Sequence, residues 1–207
     1  MARPTTISDD AILEAAREVF LERGPSATTA EVAARAGVSE GSIFKRWRTK
    51  DALFFACMAP VPIAEMGWIA KLPARVGTRT FRENLEEIAL EIVALFRLIM
   101  PSILMQQAMG EQHRRMSDFE TAPPIVARRK LAAYLDAERK LGRVRAIDVD
   151  VMARAMLGAL FSFVHLEVSM AGQDPSPIAA ETYVRGFIEI LVAGAVPADA
   201  TSKPKRR

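Results

Sequence analysis

Five cations crowd the stretch from Arg35 to Lys50: Arg35, Lys45, Arg46, Arg48 and Lys50 stand against one acid, Glu40. Cations at this density neutralise phosphate and release its counterions. Between them lie Gly41, which is small, and Glu40, Ser42 and Lys45, which can hydrogen-bond. Polar side chains beside a small residue can reach base edges once their helix lies in a major groove. Thr28 and Thr29 begin a helix pattern, where unpaired backbone N–H groups favour phosphate. The net charge of the 207-residue chain is only +3. Affinity for nucleic acid must therefore come from this local patch, not from the chain as a whole.

The elements that must hold these residues are short helices. Ser8, Asp9 and Asp10 are N-cap candidates for a first helix striped by Ile12, Leu13, Ala16, Val19 and Phe20. Gly24-Pro25 ends it. Thr28 or Thr29 caps the next, with Glu31 in reach for a capping box and Val32, Ala33 and Ala36 on the inner face. Gly37 permits the positive φ of a tight turn. Ser39 caps a third helix carrying Ile43, Phe44 and Trp47. Thr49 caps a fourth beginning near Lys50, with Leu53, Phe54 and Met58 apolar, before Pro60 and Pro62. Two short helices joined through Ala36-Gly37-Val38-Ser39 read as a helix-turn-helix.

Beyond about residue 70 the helical patterns lengthen. Phe81, Leu85, Ile88, Ile92, Leu95, Phe96 and Ile99 repeat at helical spacing, and Pro101 opens a shorter segment to Met109. Gly110 to Ala122 is polar and reads as a loop. Pro123-Pro124 opens a helix closed by Gly142. Asp148 caps the next, striped by Val149, Met152, Met156, Leu160 and Phe163. The last is expected from about Pro177 to Ala193. The expected fold class is all-α, with about nine or ten helices. The expected divisions are a helix-turn-helix DNA-binding domain over 1–54, a helical effector-binding and dimerisation domain over 55–197, and a disordered basic tail over 198–207. That tail either adds non-specific DNA attraction or is only a solvated end.

Several function classes fall away. The apolar run Ile88–Met105 is interrupted by Glu91, Arg97 and Pro101, which favours a buried helix over a membrane span. The opening MARPTTISDD has no apolar segment and does not read as a signal peptide. One cysteine, Cys57, rules out an internal disulfide framework and suits a reducing cytoplasm. Two histidines, His113 and His165, are too few and too scattered for a metal site or a Cys/His pair, and no Gly-rich phosphate loop occurs. No enzyme, cofactor or metal is expected.

At Thr28-Thr29, Ala36-Gly37-Val38-Ser39, Phe44, Trp47, Lys50 and Leu53 the chain resembles the tetracycline-repressor (TetR) family of bacterial transcription regulators. The likeness covers roughly residues 8 to 55. Gly142-Arg143-Val144-Arg145 before Asp148 resembles, more weakly, that family's entry to its dimerisation helices. The resemblance implies that Thr29, Ser39, Arg46 and Lys50 meet the DNA backbone, and that Ala30, Glu40, Gly41, Ser42 and Lys45 read bases. Two positions depart from the pattern. Phe44 stands where the family usually has Tyr, which removes a phenolic hydrogen bond to phosphate. Arg46-Trp47 stands where a His or Tyr followed by Phe is usual. Glu40 is repelled by phosphate unless it accepts from a cytosine amino group.

The resemblance further implies a homodimer on palindromic double-stranded operator DNA, joined through the last two helices, with repression as the default. Met152, Met156, Gly158, Ala159, Phe163, Tyr183, Gly186, Phe187 and Ile190 are the expected dimerisation residues. The middle helices would hold a small hydrophobic or aromatic effector, with Trp68, Phe96, Arg97, Met100, Met105, Phe119, Phe161 and His165 as candidates. Taken singly, a Met or aromatic residue on such a stripe is also a core residue. Arg97 either meets an anionic ligand or pairs with Glu91 or Glu87. His165 is either a hydrogen-bonded core residue or a sensor. A regulator without a ligand, acting through a protein partner, is the alternative.

Overall fold

The structure, a computed structural model, describes residues 7–58, 66–108, 122–170 and 172–193. Among these the chain is all-α, with nine α-helices and no strand. The described residues fall into two compact units: 7–58 with 99–108, and 66–98 with 122–170 and 172–193.

The first unit opens with α1 (Asp9–Arg23), capped by Ser8, whose hydroxyl accepts the Ala11 N–H. A 3₁₀ turn over Gly24–Ser26 leads to α2 (Thr29–Ala36). Its capping box is complete: Thr28 Oγ1 accepts from the Glu31 N–H, and the Glu31 carboxylate accepts from the Thr28 N–H at 2.9 Å. Ser39 caps the five-residue α3 (Glu40–Phe44), and Thr49 caps α4 (Lys50–Cys57). Helix α1 packs on α2 and α4, and α2 packs on α3. Between them Ile12, Val19, Phe20, Val32, Ile43, Leu53 and Phe54 are buried. Phe20 meets Phe54 edge to face, with ring centroids 5.1 Å apart. Each such side chain contributes about 1.5–3 kcal/mol on burial, which lets short helices hold one another. Cys57 joins this core, and burial pushes its thiol up to about 12, so it stays protonated and unreactive.

The second unit contains α5 (Gly67–Arg75), residues 81–98 of α6 (Phe81–Ala108), α7 (Pro123–Lys140), α8 (Val149–Met170) and α9 (Ala180–Ala193). Leu85, Ile88, Ile92, Leu131, Leu135, Met156, Leu160, Val164, Val184 and Ile188 are fully buried or nearly so. The turn between α5 and α6 is pinned by the end of α7. The Gly77 N–H donates to Glu138 Oε1 at 3.0 Å. Arg143 lies 3.1 Å from Glu138 Oε2 and donates to the carbonyls of Thr78 and Arg79. Asn84 donates to the carbonyls of Arg75 and Thr78.

Three helix boundaries differ from the expectation. Helix α3 ends at Phe44, so Trp47 lies beyond it. Helix α6 runs through Pro101 instead of restarting there. Proline has no N–H, so the Arg97 carbonyl loses its helical donor. The buried side chains of Met100 and Ser102 on either side hold the helix together. Helix α9 begins at Ala180 rather than near Pro177. Pro175 and Pro177 disfavour helical geometry in the residues before them, and Asp174 draws in the Ser176 N–H at 2.8 Å. Helices α6 and α8 are long and apolar enough to cross a membrane by length and composition. In α6 a buried stripe of Leu85, Ile88 and Ile92 lies opposite Glu83, Glu87 and Arg97, the pattern of an amphipathic core helix.

Candidate nucleic-acid interface

The turn between α2 and α3 is set by Gly37, whose φ of 67° and ψ of 31° lie in the left-handed region. Its N–H and that of Val38 close on the Ala33 and Ala34 carbonyls. Ile43 is fully buried, and Trp47 and Val38 pack partly buried against the same core. This inner anchor turns Glu40, Gly41, Phe44 and Lys45 outward, where all four are exposed. Phe44 keeps 41% of its surface in water.

Several candidate residues bond within the unit. The Thr28 hydroxyl is held in the capping box. Thr29 is buried, and its hydroxyl donates to the Glu40 carboxylate, tying the N-terminal ends of α2 and α3 together. The Ser39 and Ser42 hydroxyls share a hydrogen bond at 2.8 Å. Lys50 Nζ donates to the Pro25 carbonyl at 2.8 Å, and its charge helps hold the Glu31 carboxyl down. Arg46 is tied to Asp9, Ile7 and Ser42.

The patch is smaller than the sequence suggests, because Arg35 turns back onto α1. It meets Glu18 at 2.9 Å and Glu22 at 2.8 Å, and its bond to Glu22 holds that carboxyl below its usual range. Those partners lie 13 and 17 residues upstream on another helix, beyond local pattern. Lys45 and Arg48 pair with no described residue, so they carry the uncompensated charge beside α3.

The effector candidates are divided between the units. Phe96, Phe161 and His165 come together in the second: Phe96 meets Phe161 edge to face at 5.6 Å, and His165 stacks on Phe161 at 6.0 Å. Trp68 is buried in α5. Arg97 pairs with neither Glu91 nor Glu87. It grips Glu167 of α8 through two bonds of 2.7 and 2.9 Å on the surface, while Glu87 and Glu91 are taken by Arg75, Arg79 and Lys71. Met100 is fully buried and Met105 packs on the core of the first unit. Phe119 lies outside the described residues. A groove of about 460 Å³ in the second unit is lined instead by Ile69, Leu72, Val76, Lys130, Ala133 and Tyr134.

The expected dimerisation residues also divide. Met152 and Met156 are buried in the unit's own core. Ala159, Phe163, Tyr183 and Phe187 are half-buried; Tyr183 stacks on Phe163 at 4.3 Å and donates to the Ala159 carbonyl. Gly158, Gly186 and Ile190 face outward, with open space around both glycines. Val151 and Leu166 are exposed on α8 and Ile178 just before α9, and none stood among the candidates. The signal was a second stripe on α8, Val151, Ala155, Gly158, Ser162 and Leu166, one residue out of step with the methionines.

A left-handed glycine turn, a short capped helix anchored by one aliphatic and one aromatic side chain, and an outward polar face define a helix-turn-helix protein. Residues 12–57 match the family described as bacterial regulatory proteins, tetR family. The HTH-type transcriptional repressor Rv3405c of Mycobacterium tuberculosis is 47% identical over 49 residues. That segment covers 23% of this chain and 26% of the relative, so the match spans about a quarter of that protein's own length. Over the whole chain the fold is similar to that of the TetR family transcriptional regulator PfmR from Thermus thermophilus. That likeness has a TM-score of 0.63 at 20% identity and covers 90% of this chain and 99% of the other. It is similar too to the FadR of Bacillus subtilis in complex with stearoyl-CoA, with a TM-score of 0.61 at 19% identity and the same two coverages. The match to the tetR family of bacterial regulatory proteins rests on 46 N-terminal residues of the 207.

Proposed function

We propose that this protein is a cytoplasmic, DNA-binding transcriptional regulator that represses by gripping a palindromic operator as a homodimer. The observation that carries this is the outward face of α3, where Gly41 and Ser42 sit beside the charges of Lys45, Arg48 and Lys50. Three such charges can neutralise phosphates while α3 stands in a major groove. Residues 1–54 would serve as the reader and 55–197 as the part that senses and dimerises. Gly158, Leu166, Gly186 and Ile190 are the residues we assign to a face for the second copy, because they leave small and apolar surface in water.

Release by a hydrophobic effector is the finer part of the proposal. Its support is the apolar second unit and the similar fold that carries stearoyl-CoA in another protein. An effector would act by favouring a dimer whose two readers no longer fit successive grooves.

The test is binding of the purified protein to DNA selected from a random pool, titrated against salt. The expected result is retention that weakens steeply with salt, and a Lys45→Ala variant whose log–log slope is shallower by about one. Retention that ignores salt would sink the proposal. Melting against long-chain acyl compounds then separates an effector-released regulator from one without a ligand, since a ligand of the folded state raises the melting point.

A further inference from the structure

Each nitrogen of the Arg46 guanidinium meets an acceptor within the chain. Its Nε lies 2.6 Å from Asp9 Oδ1, its Nη1 donates to the Ser42 carbonyl at 3.3 Å, and its Nη2 donates to the Ile7 carbonyl at 3.2 Å. Every nitrogen thus has an acceptor, and its charge is matched by one carboxylate. Two of the three acceptors belong to the segment that leads into α1. The Ile7 side chain of that segment packs on the core, with its Cδ1 beside Gly37 at the helix-turn-helix turn.

Helix α3 needs such a tie. At five residues it cannot hold itself by its own backbone bonds. It buries one side chain, Ile43. The Thr29–Glu40 bond steadies its N-terminal end. At the other end Arg46 follows the helix by two residues and reaches Ile7 and Asp9 by polar bonds, beside Trp47, which packs partly buried on the core. A lysine there would supply the charge but not the planar fork that meets three acceptors in three directions.

We infer that Arg46 is a positioning residue that staples the segment Ile7–Asp9 to the C-terminal end of α3 and so sets the angle of α3 on its core. This replaces the phosphate contact that the family resemblance implies for the residue, and it rests on the proposal that α3 reads DNA. Asp9 is then part of the reader although it touches no base.

The test is a cycle of Asp9→Ala, Arg46→Ala and the double variant, of which the double alone keeps the net charge, read by DNA titration against salt and by thermal melting. Each single variant lowers the melting point and the double lowers it no further than Arg46→Ala, because the two residues share the ion pair. The double variant, assayed well below its melting point, binds DNA about two- to fivefold more weakly, the worth of a half-exposed ion pair with two further hydrogen bonds. Its salt slope equals that of the unchanged protein. Arg46→Lys behaves like Arg46→Ala. A slope shallower by about one in the double variant would mark a phosphate contact and overturn the inference. Unchanged affinity with unchanged slope would also overturn it, since the staple would then be only structural. If the unchanged protein shows no salt-dependent binding, the parent proposal fails, and the melting cycle still reports whether Asp9 and Arg46 act as one.

Discussion

The α5–α6 region of the second unit and the residues around the end of α3 in the first treat their cations in opposite ways. Every Lys and Arg of α5, α6 and the turn between them pairs with a carboxylate: Lys71 and Arg75 with Glu91, Arg75 and Arg79 with Glu87, Arg82 with Glu86, and Arg97 with Glu167. In the first unit Lys45 and Arg48 meet no described carboxylate, and Lys50 rests on a carbonyl. Paired charges hold helices in register and cancel at a distance. Unpaired charges contribute little to the fold and leave a field for a polyanion. The difference therefore separates a region that uses charge to hold its helices from one that keeps charge for a partner and rests on a small apolar core.

The comparison breaks most visibly at that core. Phe20→Ala removes a fully buried ring and its edge-to-face partner in Phe54. It should lower stability by about 3–5 kcal/mol in chemical denaturation, with loss of DNA retention. A cost near zero would mean that the first unit does not rest on this core. Next in size is Arg143→Ala, which strands the fully buried Glu138 carboxylate beside Gly77. Its expected cost is about 3 kcal/mol, the scale of breaking a buried pair. The control is Lys45→Ala, expected within about 0.5 kcal/mol of the unchanged protein because an exposed cation without a partner holds nothing. Equal costs for Arg143→Ala and Lys45→Ala would erase the contrast between the units.

What could be read from sequence follows the same division. The first unit is built from local chemistry: Ser8, Thr28 with Glu31, Ser39 and Thr49 cap within three residues, and Gly37 makes its turn alone. Such signals lie inside a short window, so these helices and the reader they build were legible. The ties that set the candidate residues to work were not. Arg35 meets Glu18 and Glu22 on another helix, Arg46 meets Asp9 across most of the unit, and Arg97 meets Glu167 from 70 residues away. Spacing along a chain cannot choose between a near carboxylate and a distant one that folding brings close. Met152 and Met156 fail differently. Their stripe was legible, but a stripe says that a face is buried, not whether the covering surface belongs to the same chain or to a second copy.

A smaller test uses a device that both units share. Thr28 with Glu31 has a counterpart in Thr80 with Glu83: the Thr80 N–H and hydroxyl donate to the Glu83 carboxylate, and the Glu83 N–H donates to Thr80. Thr28→Ala and Thr80→Ala should each lower stability by about 1 kcal/mol in denaturant titration. Only Thr28→Ala should also weaken DNA binding, since only α2 orients α3. Equal effects on binding would mean that the threonine acts through stability alone.

The smallest effect is the pH dependence of those boxes. Glu31 is held below the ordinary glutamate value of 4.5, first by the Thr28 backbone N–H and then by its hydroxyl. Glu83 is held down in the same way by Thr80. A carboxyl whose folded value lies below its unfolded one adds stability that is fully present above pH 4.5 and is lost as pH falls through the folded value. Both side chains are open to solvent, so the acid loss that each causes is shallow. In Thr28→Ala the Glu31 value returns toward its unfolded one, and the fall in stability below about pH 4.5 should flatten, as followed by denaturant midpoint against pH. Thr28→Ala with Thr80→Ala should flatten it further, by an equal step, because the two boxes lie in different units and share no partner. Parallel acid limbs in all three proteins would show that the cap bonds do not hold these carboxylates down. Added salt separates the charges of Arg23, which lies 3.7 Å from Glu31, and of Lys50: screening both should raise the Glu31 value while leaving the contribution of the Thr28 hydrogen bonds in place.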